Sequence, residues 1–181
     1  MIRKDDNELV FEVINGSVSS FEVLIERYQK TIFTMVLRMV GDVENAKDIT
    51  QDIFVKTYEK LRTFNFKHRF FSWFYRIALN ETLSWLKRYH STERLQEVQY
   101  AIADETTQED PERMNTLLHS GLMELPEDYR SLLILKYYSQ LSYEELSEIS
   151  GVSLKKVKSR LFIAREQLRK VLLQKGFPGD E

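Results

Sequence analysis

Residues 91–112 (STERLQEVQYAIADETTQEDPE) constrain the fold more than any other part of this chain. They lose the sustained apolar period seen on either side and carry seven acidic residues against one basic. Such a segment cannot bury a continuous face, so it reads as a tether. The run Leu95 to Ile102 is its one candidate for a short helix. The chain therefore divides into a first unit over 1–90, a linker over 91–112, a second unit over 113–175 and a tail over 176–181. Only 6 Gly and 3 Pro occur in 181 residues, which disfavours a turn-rich all-β fold. The expectation is all-α, as two small helical domains joined by a flexible acidic linker.

Apolar spacing places the elements. Glu8 to Asn15 reads as a short helix closed by Gly16. Ser19 or Ser20 can cap the next, in which Phe21, Leu24, Ile25, Tyr28, Ile32, Val36 and Val40 keep a helical period until Gly41 stops it. Asp42 can cap a third helix reaching about Arg62. A break at Thr63 to Arg69 precedes a fourth helix, from Phe70 to Tyr89. Beyond the linker, helices are expected over 113–124, 127–138, 143–150 and 154–173, punctuated by Pro126 and Gly151.

Several chemistries are excluded. With no cysteine, the chain has no disulfide, thiol nucleophile or thiolate metal site. His68, His90 and His119 are far apart and lack metal-ligand spacing. No nucleophile–base signature or Gly-rich phosphate loop is visible, so no catalytic residue, metal or cofactor is expected. The opening residues are acidic where a signal peptide is apolar, and Thr34 and Arg38 interrupt the run Ile32 to Val40. A cytoplasmic protein without membrane insertion is expected.

The net charge of −2 conceals two basic blocks. Residues 60–90 hold seven basic side chains against one acidic, and residues 153–175 hold eight against one. Solvated helix faces can produce such blocks. Two of them in acidic surroundings also suit phosphate binding.

The second block has internal order. In YEELSEISGVSLKKVKSRL (143–161), a short helix ends at Gly151, Val152 can plug the angle between helices, and Ser153 can cap the next. Leu154, Val157, Leu161, Ala164, Leu168 and Leu172 make one apolar stripe. Lys155, Lys156, Ser159, Phe162, Ile163 and Glu166 lie opposite, flanked by Lys158, Arg160 and Arg165. An anchored back with an exposed front of cations, a hydroxyl and apolar tips is what a major-groove recognition helix needs. An amphipathic helix at a bundle corner would share part of this pattern.

The first block holds seven aromatics in FNFKHRFFSWFY (64–75), with cations interleaved. Phe70, Phe74 and Ile77 are read as core. Trp73 and Tyr75 can either pack inside or meet unpaired bases, and the loop 63–69 with Asn80 could hold a flipped base. On the third helix Ala46, Ile49, Ile53, Thr57 and Leu61 face one way; Glu44, Asp48, Gln51, Asp52 and Val55 face the other. An acidic stripe repels DNA, so a basic protein surface is its expected partner, unless it is simply solvated.

DVENAKDITQDIF (42–54), WFYRIALN (73–80) and LPEDYRSLLILKYYSQLSYEELSEISGVSLKKVKSRLFIAREQL (125–168) together resemble a bacterial RNA polymerase sigma factor of the extracytoplasmic-function group. The likeness covers nearly the whole chain in the right order. It implies a region-2 domain, a linker and a region-4 helix-turn-helix. Core RNA polymerase would then be bound through Glu44, Asp48, Gln51, Asp52 and Phe54 on its β′ coiled coil, with a further contact to the β flap. The −10 element would be recognised and opened by Phe64, Lys67, Phe71, Trp73, Tyr75, Arg76, Asn80, Lys87 and Arg88. The −35 element would be read by Lys155, Lys156, Lys158, Ser159, Arg160, Phe162, Ile163 and Arg165. The acidic linker would lie near the polymerase active site and RNA-exit path, mimicking nucleic acid, and an anti-sigma factor is the implied inhibitor. Two residues depart from the pattern and bear on the −35 sequence read: Lys156 replaces a Thr before Val157, and Ile163 replaces a cation after Phe162. Ser147 replaces a usual Ala, and Ser150 a usual apolar residue before Gly151.

The rival readings are an autonomous helix-turn-helix regulator and a pure interaction protein that titrates an anti-sigma factor. The first predicts tight duplex binding without polymerase. The second predicts partner binding without transcription.

Overall fold

The computed structural model describes residues 4–93 and 111–177. Within them are eight α-helices, one 3-10 turn and no strand. The expected helix at Leu95–Ile102 and the linker between 94 and 110 lie outside the described residues. The ends assigned to that linker are helical, since one helix runs on to Glu93 and the next begins at Pro111.

Helix α1 (Asp6–Ile14) opens on a capping box between Asp5 and Glu8. Asp6 accepts from both Arg27 and Tyr28, tying α1 to α2 (Val18–Val40). Ser17 caps α2, not Ser19 or Ser20; Ser20 is buried in the first turn. Leu24, Tyr28, Ile32, Met35, Val36 and Met39 bury the inner face of α2 at spacings near 3.6. Gly41 ends the helix at φ 84°, a conformation cheap only without a Cβ.

Asp42 caps α3 (Val43–Lys60) through the Asn45 amide at 2.8 Å. Ala46, Ile49, Ile53 and Thr57 face the core as expected, and so does Leu61 in the 3-10 turn Leu61–Thr63. The loop then leads into α4 (Phe70–Glu93). α5 (Pro111–Met123), α6 (Glu127–Tyr137), α7 (Tyr143–Ser150) and α8 (Leu154–Gln174) form the second unit.

The two units pack on one another. α6 lies against α2 and α7 against α4, so the buried side chains form one apolar cluster from Leu9 to Ala164. Arg130 closes the seam. It is 4 % exposed and donates to the carbonyls of Met39 (2.7 Å), Met123 (2.9 Å) and Leu125 (3.1 Å). One of those acceptors belongs to the last turn of α2, where a cation is favoured by the helix dipole. Arg38 sits 4.4 Å above the Tyr138 ring across the same seam, a cation–π contact.

Candidate functional site

Three surfaces carry the expected chemistry. The first is the front of α8. Val157, Leu161 and Ala164 are 0–1 % exposed and fix its back to the second unit. Lys155, Lys156, Lys158, Ser159, Phe162 and Ile163 are exposed, and Arg160 is half-buried. Gly151, at φ 70°, sets the turn into α8. Ser153 occupies the N-cap position of α8, but its side chain makes no cap hydrogen bond. Ser147 and Ser150 both find hydrogen-bond partners within the helix pair. The Ser147 hydroxyl donates to the Val152 carbonyl across the turn (2.6 Å), and the Ser150 hydroxyl to the Leu146 carbonyl (2.5 Å). Lys158 holds its ammonium 5.6 Å from the Tyr143 ring, which steadies it at the front edge. Arg165 reaches back to the Tyr137 hydroxyl (3.4 Å), towards the other side of the unit.

The second surface is a stripe on α4 and the loop before it. Lys67, Arg76, Asn80, Lys87 and Arg88 are exposed, with Arg76, Asn80 and Lys87 on one side of the helix. The aromatics divide. Phe70 and Phe74 are buried as expected, and so is Ile77. Tyr75 and Phe64, expected to face DNA, are 1 % and 6 % exposed. Tyr75 points into the seam between the units, where it meets the Ser139 hydroxyl; burial pushes its phenol up to about 12. Phe64 lies beneath Phe66 (5.1 Å) and Trp73 (5.3 Å), so it supports the loop from inside. Trp73 and Phe71 are half-buried, Phe71 against Tyr75 at 4.4 Å. Of the two phenyl rings in the 63–69 loop, Phe66 is the exposed one, although it is not among the residues named for the −10 element.

The third surface is the outer face of α3. Glu44, Asp48, Gln51, Asp52 and Val55 are exposed together. Phe54 does not join them. It is 9 % exposed and packs on Phe74 at 5.4 Å, because it shares the inner side of the helix with Thr50, Ile53 and Thr57.

Two features went unread in the sequence. One is an open groove of about 450 Å³ between α5, α6 and α8, lined by Leu118, Leu122, Tyr137, Leu168 and Leu172 among others. Its signal was the apolar stripe of α8 continuing past the recognition turns. The other is the contact of α7 with α4: Ser72 donates to the Glu148 carboxylate (2.6 Å), Arg76 to the Glu148 backbone carbonyl, and Arg69 pairs with Glu145 (3.3 Å). Among the described residues no cluster of His, Cys, Asp and Glu is arranged to hold a metal, and no helix is long and apolar enough to cross a membrane.

Comparisons with known proteins agree with this geometry. The family model of sigma-70 region 2 matches residues 24–92, and that of sigma-70 region 4 matches residues 116–168. The RNA polymerase sigma-H factor of Pseudomonas aeruginosa is 30 % identical, over 95 % of this chain and 96 % of that protein. The ECF RNA polymerase sigma factor SigW of Bacillus subtilis is 32 % identical, over 89 % of this chain and 93 % of its own. Among solved structures, CnrH in complex with the cytosolic domain of CnrY superposes with a TM-score of 0.72 at 24 % identity, covering 92 % of this chain and 96 % of that one. The sigma factor RpoE in complex with the anti-sigma factor NepR from Bartonella quintana gives 0.69 at 22 % identity, covering 86 % and 98 %. These two show the shared fold.

Proposed function

This chain belongs to the extracytoplasmic-function sigma factors, alternative sigma factors that direct transcription initiation, and we propose that it works by docking on core RNA polymerase at two points and presenting two DNA-reading helices. The observation that carries the proposal is the presence of a cationic helix face in each unit beside an exposed acidic stripe on α3.

Each surface has its task. Glu44, Asp48, Gln51 and Asp52 meet a basic helical hairpin, the β′ coiled coil. Phe54 supports that face from below. The groove between α5, α6 and α8, whose lining includes Arg165 and Arg169, takes an apolar segment of the β flap. Lys155, Lys156, Lys158, Ser159, Arg160, Phe162 and Ile163 read the −35 duplex in the major groove. The cations neutralise phosphates, and Phe162 and Ile163 can press on thymine methyl groups. Lys67, Trp73, Arg76, Asn80, Lys87 and Arg88 receive the opened −10 strand, with Phe64, Phe71 and Tyr75 as the packed bed beneath it.

The acidic α3 and the weakness of each contact alone keep the free chain off DNA. Docking fixes both units at the spacing of the promoter elements, so the second DNA contact becomes intramolecular. Sigma factors are in general not enzymes; this chain contributes selection and strand capture while the polymerase does the chemistry. The chain acts on cytoplasmic polymerase. An anti-sigma factor is its proposed inhibitor, as two structural neighbours were solved with such partners or a cytosolic domain bound.

Fluorescence anisotropy of tail-labelled protein tests this reading. Titration with bacterial core RNA polymerase should give tight binding, and random duplex DNA at physiological salt should give feeble binding. No binding to core with strong duplex binding would point instead to an autonomous helix-turn-helix regulator.

A further inference from the structure

We infer that Phe11 on α1 and Phe66 at the tip of the 63–69 loop form an aromatic corner that stacks an unpaired base of the opened strand, carrying the strand path from α4 across the loop onto the first helix. The inference rests on the proposed role of α4 and that loop in holding the −10 strand; it adds α1, to which that role gives no part.

Both rings face solvent. Phe11 is 62 % exposed and Phe66 44 %, and they meet at 70° with centroids 6.5 Å apart. Single exposed apolar side chains are ordinary on a protein surface. Here two exposed rings touch, and they come from elements far apart in sequence. Each is also held in place. Leu9, Val10 and Val13 bury the inner face of α1, and Asp6 ties the helix to Arg27 and Tyr28, so Phe11 stands outward from a fixed helix. In the loop the Asn65 carbonyl accepts from the His68 amide (3.0 Å), and the Asn65 side chain accepts from the Lys67 amide (3.0 Å). These bonds close a turn with Phe66 and Lys67 at its tip. Phe64 supports Phe66 from beneath at 5.1 Å. The 3-10 turn that leads into this loop packs on α1. A pair fixed in this way loses little freedom when a flat ligand arrives.

The surrounding charge selects the ligand. Residues 61–69 carry Arg62, Lys67 and Arg69 and no acid, and all three cations are exposed. The neighbouring acids of α1 are engaged: Glu8 accepts from the Asp5 amide, and Glu12 accepts from Lys4 and Ser20. A basic protein surface would be repelled by these cations. A nucleic acid strand suits both features, because its phosphates meet the cations and its bases meet the rings. Rings at 70° make an open corner, in which a base lies on one ring with its edge against the other. Stacking of this kind tolerates any base, so the corner adds hold and little sequence preference.

The test uses the full chain and two fluorescent single-stranded 20-mers at low salt, one of thymidines and one with the same phosphates but no bases. Phe11→Ala should bind the thymidine strand about tenfold more weakly than the parent, the worth of about one stacked base. It should bind the abasic strand as the parent does, and the salt dependence should keep its slope because no phosphate contact is lost. Lys67→Ala supplies the contrast: both strands should bind more weakly, and the slope should become shallower by about 0.7. The melting temperature of Phe11→Ala should barely move, since the ring is exposed. Phe11→Trp restores a ring and should recover the affinity. Its fluorescence should be quenched by the thymidine strand, beyond any quenching of the parent's two tryptophans, and not by the abasic strand. Unchanged thymidine affinity in Phe11→Ala, or an equal loss on both strands, overturns the stacking corner. If Asn80→Ala/Lys87→Ala then still weakens strand binding, the α4 face keeps its role and α1 alone drops out. If neither variant changes the affinity, the strand-holding role of α4 falls with the corner.

Discussion

The two helices proposed to meet DNA, α4 and α8, present their cations in opposite ways. On α8 the front is open: Lys155, Lys156 and Ser159 project from a helix whose back is locked by Val157, Leu161 and Ala164. On α4 the upper end of the cationic stripe is covered by the chain itself, through Glu145 and Glu148. On α4 the polar groups of Ser72 and Arg76 already have acceptors in α7. Polarity of a helix face alone does not distinguish the two cases; what packs over it does.

The largest expected effect tests how far the open face depends on its anchor. Leu161→Ala removes a side chain 1 % exposed at the heart of the second unit and should cost about 2–5 kcal/mol. Thermal unfolding followed by circular dichroism should show the loss, with −35 binding failing at lower temperature. A shift of less than about 0.5 kcal/mol would mean that the back of α8 is not the anchor described.

Next in size is the seam. Arg130→Met leaves the carbonyls of Met39, Met123 and Leu125 without their donor and should cost about 2–3 kcal/mol. Because one of those carbonyls belongs to the other unit, energy transfer between dyes on the two units should fall as well. Loss of stability with unchanged energy transfer would confine Arg130 to the second unit.

Asp52→Lys, on the exposed acidic stripe, should leave the melting temperature nearly unchanged. It should weaken core polymerase binding by about tenfold or more through like-charge contact. Anisotropy against core decides it, and unchanged affinity removes that face from the docking surface. Lys158→Ala is smaller still. It should weaken −35 binding by about 1 kcal/mol, uniformly across sequences, with a slightly shallower salt dependence. A loss confined to one base position would make Lys158 a base reader.

Most of the fold was legible because a helix announces itself locally. The periods of α2 and α3, the Asp42 cap and the stops at Gly41 and Gly151 need only neighbours in sequence. Phe54 marks the limit of arguing from likeness. The family pattern carried it to the partner surface, while its spacing from Thr50 and Thr57 places it inside. Tyr75, Arg130 and Glu148 show a different limit. Their partners lie tens of residues away in sequence, across the linker. On an isolated helix an exposed glutamate and one facing another unit look the same, so no period could reveal the seam.

The smallest expected effect concerns pH. His119 on α5 lies at the seam beside Gly41 and faces Arg38 of α2 and Arg130 of α6. Burial, then the two guanidinium groups, hold its imidazole below the usual histidine range. The sign follows from linkage. A base whose pKa is lowered in the closed arrangement favours closure in its neutral form, so that contribution is complete above the ordinary value of 6.5. It is lost as pH falls below 6.5, where the separated units bind the proton more readily. Protonation would set a third cation against Arg38 and Arg130. Energy transfer between dyes on the two units should therefore decline modestly from pH 7.5 to pH 5.5. His119→Gln, which cannot take the proton, should flatten the decline; an undiminished slope in that variant would place the pH response elsewhere in the seam.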